Sequence, residues 1–154
     1  MELKTKIHAE AGKQELMITR EFDLPVALLF KAYADADLLA EWMETNVLKL
    51  ESKKHGSYQL EKTYQGKVVF SANGVIHEFI PNQKIIRTFE MENAPFGTQL
   101  ELLIFEPLTK DTSKLTIQTI YESVEKRDQL LKRPFAQGLN MAHNRMQDIL
   151  NKLK

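Results

Sequence analysis

Six apolar side chains near the end of the chain, Phe135, Leu139, Ala142, Met146, Ile149 and Leu153, recur at alternating spacings of four and three. That spacing stacks them on one face of a helix. The polar residues Gln137, Asn144, Gln147, Asp148 and Lys152 fall mostly elsewhere. Such a face has to be covered by another layer, so the segments before it decide the architecture. Pro134 and Gly138 complicate the pattern, because a helix interior tolerates these two residues least. Pro134 fits at a kink or at the first turn of a second segment, its ring blocking the usual bond to residue 130. Gly138 calls for close passage of the helix past a sheet or a ligand.

Upstream, "ELMITREFD" (15 to 23) is rich in β-favouring residues and stops before Pro25, after which "VALLFKAYADADLLAEWM" has helical spacing. Pro25 suits a first helical turn, where its missing N–H leaves nothing unpaired. Asp35 offers a cap for a second short helix carrying Leu38, Leu39, Trp42 and Met43. Four or more strands follow: "GSYQLEKTY" and "KVVFSANGVIHEFI" around Gln65 and Gly66, "KIIRTFEME" after the turn "PNQ", then "TQLELLIFEPL" and "KLTIQTIYE" joined by "TKDTS". Gly74, inside a strand pattern, marks a bulge or a sharp bend, and a sheet bent there can wrap around something. Ser123 is an N-cap with Glu125 in the first turn, and from there one helical pattern runs almost to the end of the chain. No repeat, low-complexity tract or linker divides residues 1 to 154, which are read as one domain with one core, burying about 70% of the surface of the unfolded chain.

This order, with these residues, resembles the START/Bet v 1-like superfamily (SRPBCC), and within it the homologues of the heat-shock-protein-90 ATPase activator of the C-terminal-domain type. The resemblance rests on "ITREFDLPVALLFKAYADADLLAEW" (18 to 42), on "NGVIHEFIPNQKIIRTFE" (73 to 90), and on "SVEKRDQLL" with "GLNMAHNRMQDIL" (123 to 150). It implies an α+β helix-grip fold: a curved antiparallel sheet wrapped around a long C-terminal helix, with two short helices after the first strand. Many members carry Trp-Trp-Gly-Pro after the second helix, where this chain has Trp42, Met43, Glu44 and Thr45. One bacterial branch often shows Gly-Met where Pro134 and Phe135 stand here.

Twenty-one basic residues balance twenty-one acidic ones, and no Lys/Arg block is dense enough to form a footprint for phosphates, so nucleic acid is not expected as a partner. The absence of cysteine excludes disulfides, thiolate catalysis and zinc-ribbon sites and fits a reducing cytosol. "MELKTKIHAEAG" lacks the apolar centre of a signal peptide, and no apolar run approaches the roughly 18 residues of a membrane span. The expectation is a cytoplasmic protein without membrane insertion. His8, His55, His77 and His143 lack metal-site spacing, and no phosphate loop, dinucleotide fingerprint or nucleophile elbow is present, so neither metal nor cofactor is expected. His143, beside Ala142, either borders a cavity or occupies a partly exposed helix position.

The helix-grip resemblance implies a cavity between sheet and helix, and with it a ligand-binding set. These residues are Trp42, Met43, Tyr58, Phe70, Phe89, Met91, Tyr121, Phe135, Gly138, Leu139, Ala142 and Met146. Flexible methionines and large aromatics suit an adaptable apolar pocket, although the same side chains can simply form a core. The ligand that the resemblance implies is a small, largely apolar molecule, with a monomer or a homodimer expected to bind it. The resemblance also admits an enzyme of the cyclase or aromatase sort, with polar candidates Arg87, Glu90, Gln99, Glu101, Thr119 and Tyr121 but no assigned catalytic residue. By alternation Gln99 and Glu101 share one face and Leu100, Leu102 and Ile104 the other. The plainer reading places the polar set on the solvated outer face. A third reading, a co-chaperone for an Hsp90-type ATPase, is the weaker because the eukaryotic activator carries a further N-terminal domain, for which 154 residues leave no room.

Overall fold

Residues 3–154 are described by the structure, a computed structural model. Met1 and Glu2, the first residues of the stretch that lacks a signal peptide's apolar centre, lie outside them. The elements run β1 (Lys6–His8), β2 (Glu15–Phe22), α1 (Val26–Ala34), α2 (Ala36–Met43), β3 (Asn46–Leu50), β4 (Ser57–Tyr64), β5 (Lys67–Ile80), β6 (Lys84–Met91), β7 (Thr98–Pro107), β8 (Ser113–Ile120), α3 (Val124–Leu131) and α4 (Phe135–Asn151). The strands form one antiparallel sheet in the order β1-β2-β8-β7-β6-β5-β4-β3. With a long C-terminal helix against the sheet, this is the α+β helix-grip fold. No helix among the described residues is long and apolar enough to cross a membrane.

Two strands escape a pattern reading. β1 is three residues long and exists by pairing with β2, Lys6 opposite Thr19, so the two short helices follow the second strand rather than the first. In β3 a register shift between Val47 and Lys49 breaks the alternation and turns Leu48 outward, 58% exposed. The expected bend at Gly74 is also displaced: the irregularity between β5 and β6 falls between Ile76 and Glu78. Gly74 serves a different need. Tyr58, its cross-strand partner, lays its ring over the bare backbone and donates its hydroxyl hydrogen to the carbonyl oxygen of Thr88, 2.5 Å away.

Local signals place the helices. The Asp35 side chain caps α2 by accepting from the Leu38 N–H at 3.0 Å, and Ser123 caps α3 by accepting from the Lys126 N–H at 3.2 Å. Pro25 stands one position before α1. The single C-terminal pattern is two helices, because Pro134 cannot donate a backbone hydrogen bond and becomes the N-cap of α4, whose first bond runs from Gly138 N–H to the Pro134 carbonyl. Of the two placements open to Pro134, the start of a second segment is the one adopted.

α1 packs on the inner face, its Phe30 ring meeting Phe79 and Phe105 edge-on at 5.2 and 5.0 Å. Further along the chain the second half of α4 buries Met146 and Leu150 completely, while Leu139, Ala142 and Ile149 are half-buried. Leu153 does not join this face: the helix stops at Asn151 and Leu153 is 49% exposed. The buried apolar side chains form two clusters instead of the one core expected, the smaller consisting of Leu16, Phe96, Tyr121 and Leu130.

His143 meets neither expectation. It is fully buried against β2, with its ring edge-on to Phe22 at 5.6 Å and Nδ1 2.7 Å from Thr5 Oγ1. Thr5 N–H donates to Asn140 Oδ1 at 3.0 Å, and Arg20 Nη1 donates to the same oxygen at 3.2 Å, so this cluster ties the N-terminal segment to α4. Burial, with the nearby Arg20 charge, lowers the His143 pKa to about 3. The unfolded chain therefore binds a proton that the folded chain refuses between pH 6.5 and about 3. The stabilisation is complete above pH 6.5 and is lost as pH falls through that window. Between pH 7 and pH 5 this one group should cost about 2 kcal/mol. Urea denaturation at the two pH values should show a drop that is smaller by that amount in His143→Gln; equal drops would contradict the assignment.

Candidate ligand chamber

Strand register lays polar residues across the inner face. Arg87 on β6 stands opposite Glu101 on β7, which stands opposite Thr119 on β8, and one row along Phe89 faces Gln99. The inner positions of β7 change character along the strand: Leu103 and Phe105 are buried, while Gln99 and Glu101 face open space. That space is a chamber of about 520 Å³ between the sheet, from β2 and β5–β8, and the helices α1 to α4. Gly138 on α4 is its exposed lining residue and marks the side on which it opens.

Trp42 and Met43 border the chamber from α2, and Phe70, Phe89 and Met91 from the sheet. Tyr121 follows β8, and Phe135, Gly138, Leu139 and Ala142 approach from α4. Phe135, half-buried, packs against both apolar clusters. Tyr58 and Met146 do not border the space. Tyr58 is held over Gly74, and Met146 lies a turn beyond Ala142, inside the core.

The plainer reading of the polar set, as the outer face, is reversed by the structure for Arg87, Gln99, Glu101, Thr119 and Tyr121. The pairing by alternation holds, with Leu100 outside and 38% exposed, but alternation cannot say which face is inner. Glu90 is on the outer face, accepting a hydrogen bond from Asn73 Nδ2 at 3.3 Å.

Arg87 Nε donates to Glu101 Oε1 at 2.8 Å, and Gln99 Nε2 donates to Glu101 Oε2 at 2.9 Å. The two charged side chains are 12% and 13% exposed. The guanidinium lies over the rings of Tyr33 and Tyr58, 5.6 and 5.1 Å from their centroids. Burial opposes the Arg87 charge, yet Tyr58, Glu101 and Tyr33 together hold it above its ordinary pKa. Burial likewise pushes the Tyr33 and Tyr121 hydroxyls upward.

Among the described residues, the side-chain polar atoms sealed from solvent without a partner are Arg20 Nε, Thr45 Oγ1 and His143 Nε2. The terminal nitrogens of Arg87 and the hydroxyls of Tyr33, Thr119 and Tyr121 also take no partner from the described residues, but they are not sealed. All four residues line the chamber.

Sequence reasoning missed Ile18, Tyr33, Phe96, Gly97, Ile117, Leu130 and Arg145, all of which border the chamber. Arg145 follows Ala142 by three, so helical spacing carried the signal, but its charge kept it out of the apolar stripe. Its Nε donates to the Trp42 carbonyl at 3.0 Å, and Nη1 is 3.6 Å from Glu44 Oε1. Glu44 is the left-handed C-cap of α2 at φ 55°, where the Trp-Trp-Gly-Pro pattern supplies glycine. This chain accepts a non-glycine there and gains a carboxylate facing Arg145.

A family model described as "Activator of Hsp90 ATPase homolog 1-like protein" matches residues 23–151. No curated protein matches the chain. Among solved structures, a protein from Rhodobacter sphaeroides is 18% identical with a TM-score of 0.85, over 97% of this chain and 99% of that one. A protein from Mycobacterium smegmatis is 19% identical with a TM-score of 0.80, over 96% of each chain. A solution structure from Arthrobacter aurescens is 17% identical with a TM-score of 0.84, over 96% and 91%.

Two glycines of this region should respond oppositely to alanine. A Cβ at Gly138 meets nothing within 4 Å, so the helix passes clear of the sheet there and Gly138→Ala should raise stability by up to about 1 kcal/mol. A Cβ at Gly74 would lie 2.0 Å from the Thr88 carbonyl oxygen and 2.6 Å from the Tyr58 ring. Gly74→Ala should therefore cost roughly 1–3 kcal/mol. Chemical denaturation of both variants checks the signs.

Proposed function

The chain belongs to the family of activator of Hsp90 ATPase homolog 1-like proteins, and on that premise we propose that it binds a small, largely apolar molecule in the chamber between sheet and α4. The observation that carries the reading is the chamber itself. At about 520 Å³ it falls within the range of small-molecule sites, and its walls are aromatic and aliphatic with a few convergent polar groups. Met43 and Met91 give the wall side chains that can repack around different outlines. We read the protein as cytoplasmic, a monomer or a homodimer, acting without nucleic acid or metal.

Holding is favoured over turnover by the direction of the ionisation shifts. A cyclase-like or aromatase-like reaction profits from an acid or base poised near neutrality. Burial moves Tyr33 and Tyr121 away from that range, and the surroundings of Arg87 keep it charged. These groups suit hydrogen bonding to a guest. Arg145 and the αL residue Glu44 add a charged pair at the end of α2, where it can steer entry.

Gly138→Leu offers the test, because its side chain grows from an unobstructed position on the lining helix. The purified parent should take up the neutral fluorophore 1-N-phenylnaphthylamine, and native mass spectrometry should show it bound with one-to-one stoichiometry. Gly138→Leu should keep its circular dichroism spectrum and bind the fluorophore about tenfold more weakly, the order expected when two or more methylene groups occupy guest volume. Equal binding by the two proteins would remove the chamber as the site.

A further inference from the structure

If the chamber is a binding site, as the proposed function holds, the Arg87–Glu101 pair restricts which molecules can occupy it. A guanidinium carries five N–H donors, and Arg87 directs its Nε–H to Glu101. Its two terminal nitrogens have no hydrogen-bond partner among the described residues, and Arg87 lines the chamber. Glu101, by contrast, already accepts one hydrogen bond on each oxygen, from Arg87 and from Gln99. The polar floor is therefore rich in unused donors, to which the hydroxyls of Tyr33, Thr119 and Tyr121 can add.

Charge balance sharpens the choice. Arg87 is neutralised by Glu101, and at the end of α2 Arg145 stands beside Glu44. A carboxylate guest would bring a third, uncompensated charge into a low-dielectric space next to Glu101. A hydrocarbon guest would strip water from the Arg87 N–H groups and return nothing, which is the more severe failure for a site built around donors. A neutral oxygen acceptor meets both conditions.

We propose that the chamber selects a neutral, largely apolar molecule bearing a carbonyl-class oxygen, which accepts hydrogen bonds from the terminal nitrogens of Arg87, over a hydrocarbon or a carboxylate of the same outline. Stability gives no competing reason for the pair, since well-packed apolar residues commonly replace a buried ion pair without loss.

Displacement of 1-N-phenylnaphthylamine by three diphenyl compounds tests this: benzophenone, diphenylmethane and 4-benzylbenzoate, which is diphenylmethane with a carboxylate on one ring. The parent should bind benzophenone about tenfold or more tightly than either of the others. Arg87→Met/Glu101→Gln, which removes both charges together, should bind benzophenone and diphenylmethane within about twofold of each other. Glu101→Gln leaves Arg87 uncompensated and should raise 4-benzylbenzoate affinity about tenfold. The proposal is overturned if the parent binds diphenylmethane or 4-benzylbenzoate as well as benzophenone, or if the folded double variant keeps the ketone preference. Should the double variant fail to fold, the parent's ranking decides. A parent that takes up the fluorophore but ranks the three compounds equally refutes the selectivity alone, whereas a parent that takes up none of the four refutes the chamber reading and the selectivity with it.

Discussion

The helices cover only part of the sheet's inner face, and the architecture follows from what they leave open. α1 fills one part: Phe30 packs between Phe79 and Phe105, and Tyr33 meets Phe105 and Trp42 at 5.7 and 5.2 Å. The second half of α4 fills another with Met146 and Leu150. The rows through Glu101 and Gln99 border open space. The chamber lies there and separates the main apolar cluster from the smaller one built on Leu16, Phe96, Tyr121 and Leu130. A close-packed interior excludes voids larger than a water molecule except at a cost. A space of about 520 Å³ bordered by side chains of both clusters is thus built by the topology and is no packing defect.

Within that space the buried charges are held by a tight local arrangement. Glu101 accepts from Arg87 and Gln99, and Arg87 lies over two tyrosine rings, of which Tyr58 is itself fixed by its bond to the Thr88 carbonyl. Gly74 makes this possible, because any Cβ would displace the Tyr58 ring. A glycine in a mid-sheet strand, which weakens pairing in general, here sets the position of an arginine two strands from Tyr58.

Much of this arrangement is legible in the sequence, because the rules that encode it are local. Asp35 and Ser123 cap the helices whose starts they mark, Pro134 divides the C-terminal pattern, and the stripe from Phe135 through Ala142 faces the sheet. What is lost depends on contacts distant in sequence. β1 exists only through its register with β2, and β3 carries a bulge that hides its alternation. Alternation places Gln99 and Glu101 correctly relative to Leu100, but their polarity suggests the wrong side. A polar residue facing an unfilled part of the inner surface has the same sequence signature as one facing water. Arg145 escapes for a similar reason: its spacing marks the chamber face, while its charge suggests the opposite one.

α4 keeps the two demands on the chain apart. Phe135, Gly138, Leu139, Ala142 and Arg145 follow one another at helical spacing along the chamber, whereas His143, Met146 and Leu150 form a buried run displaced around the helix and toward its C-terminus. The first group has room beside it, most plainly at Gly138, where an added side chain meets nothing. The second is close-packed, and its one polar member is anchored through Thr5 to the N-terminal segment. Changes of size or polarity in the first group act mainly on the shape of the chamber, because cavity-facing atoms have few packing partners to lose. Equivalent changes in the second act on folding. The outline of the chamber can therefore vary along the first two turns of α4 and the loop at Phe96 and Gly97, while the packing that holds helix to sheet stays fixed.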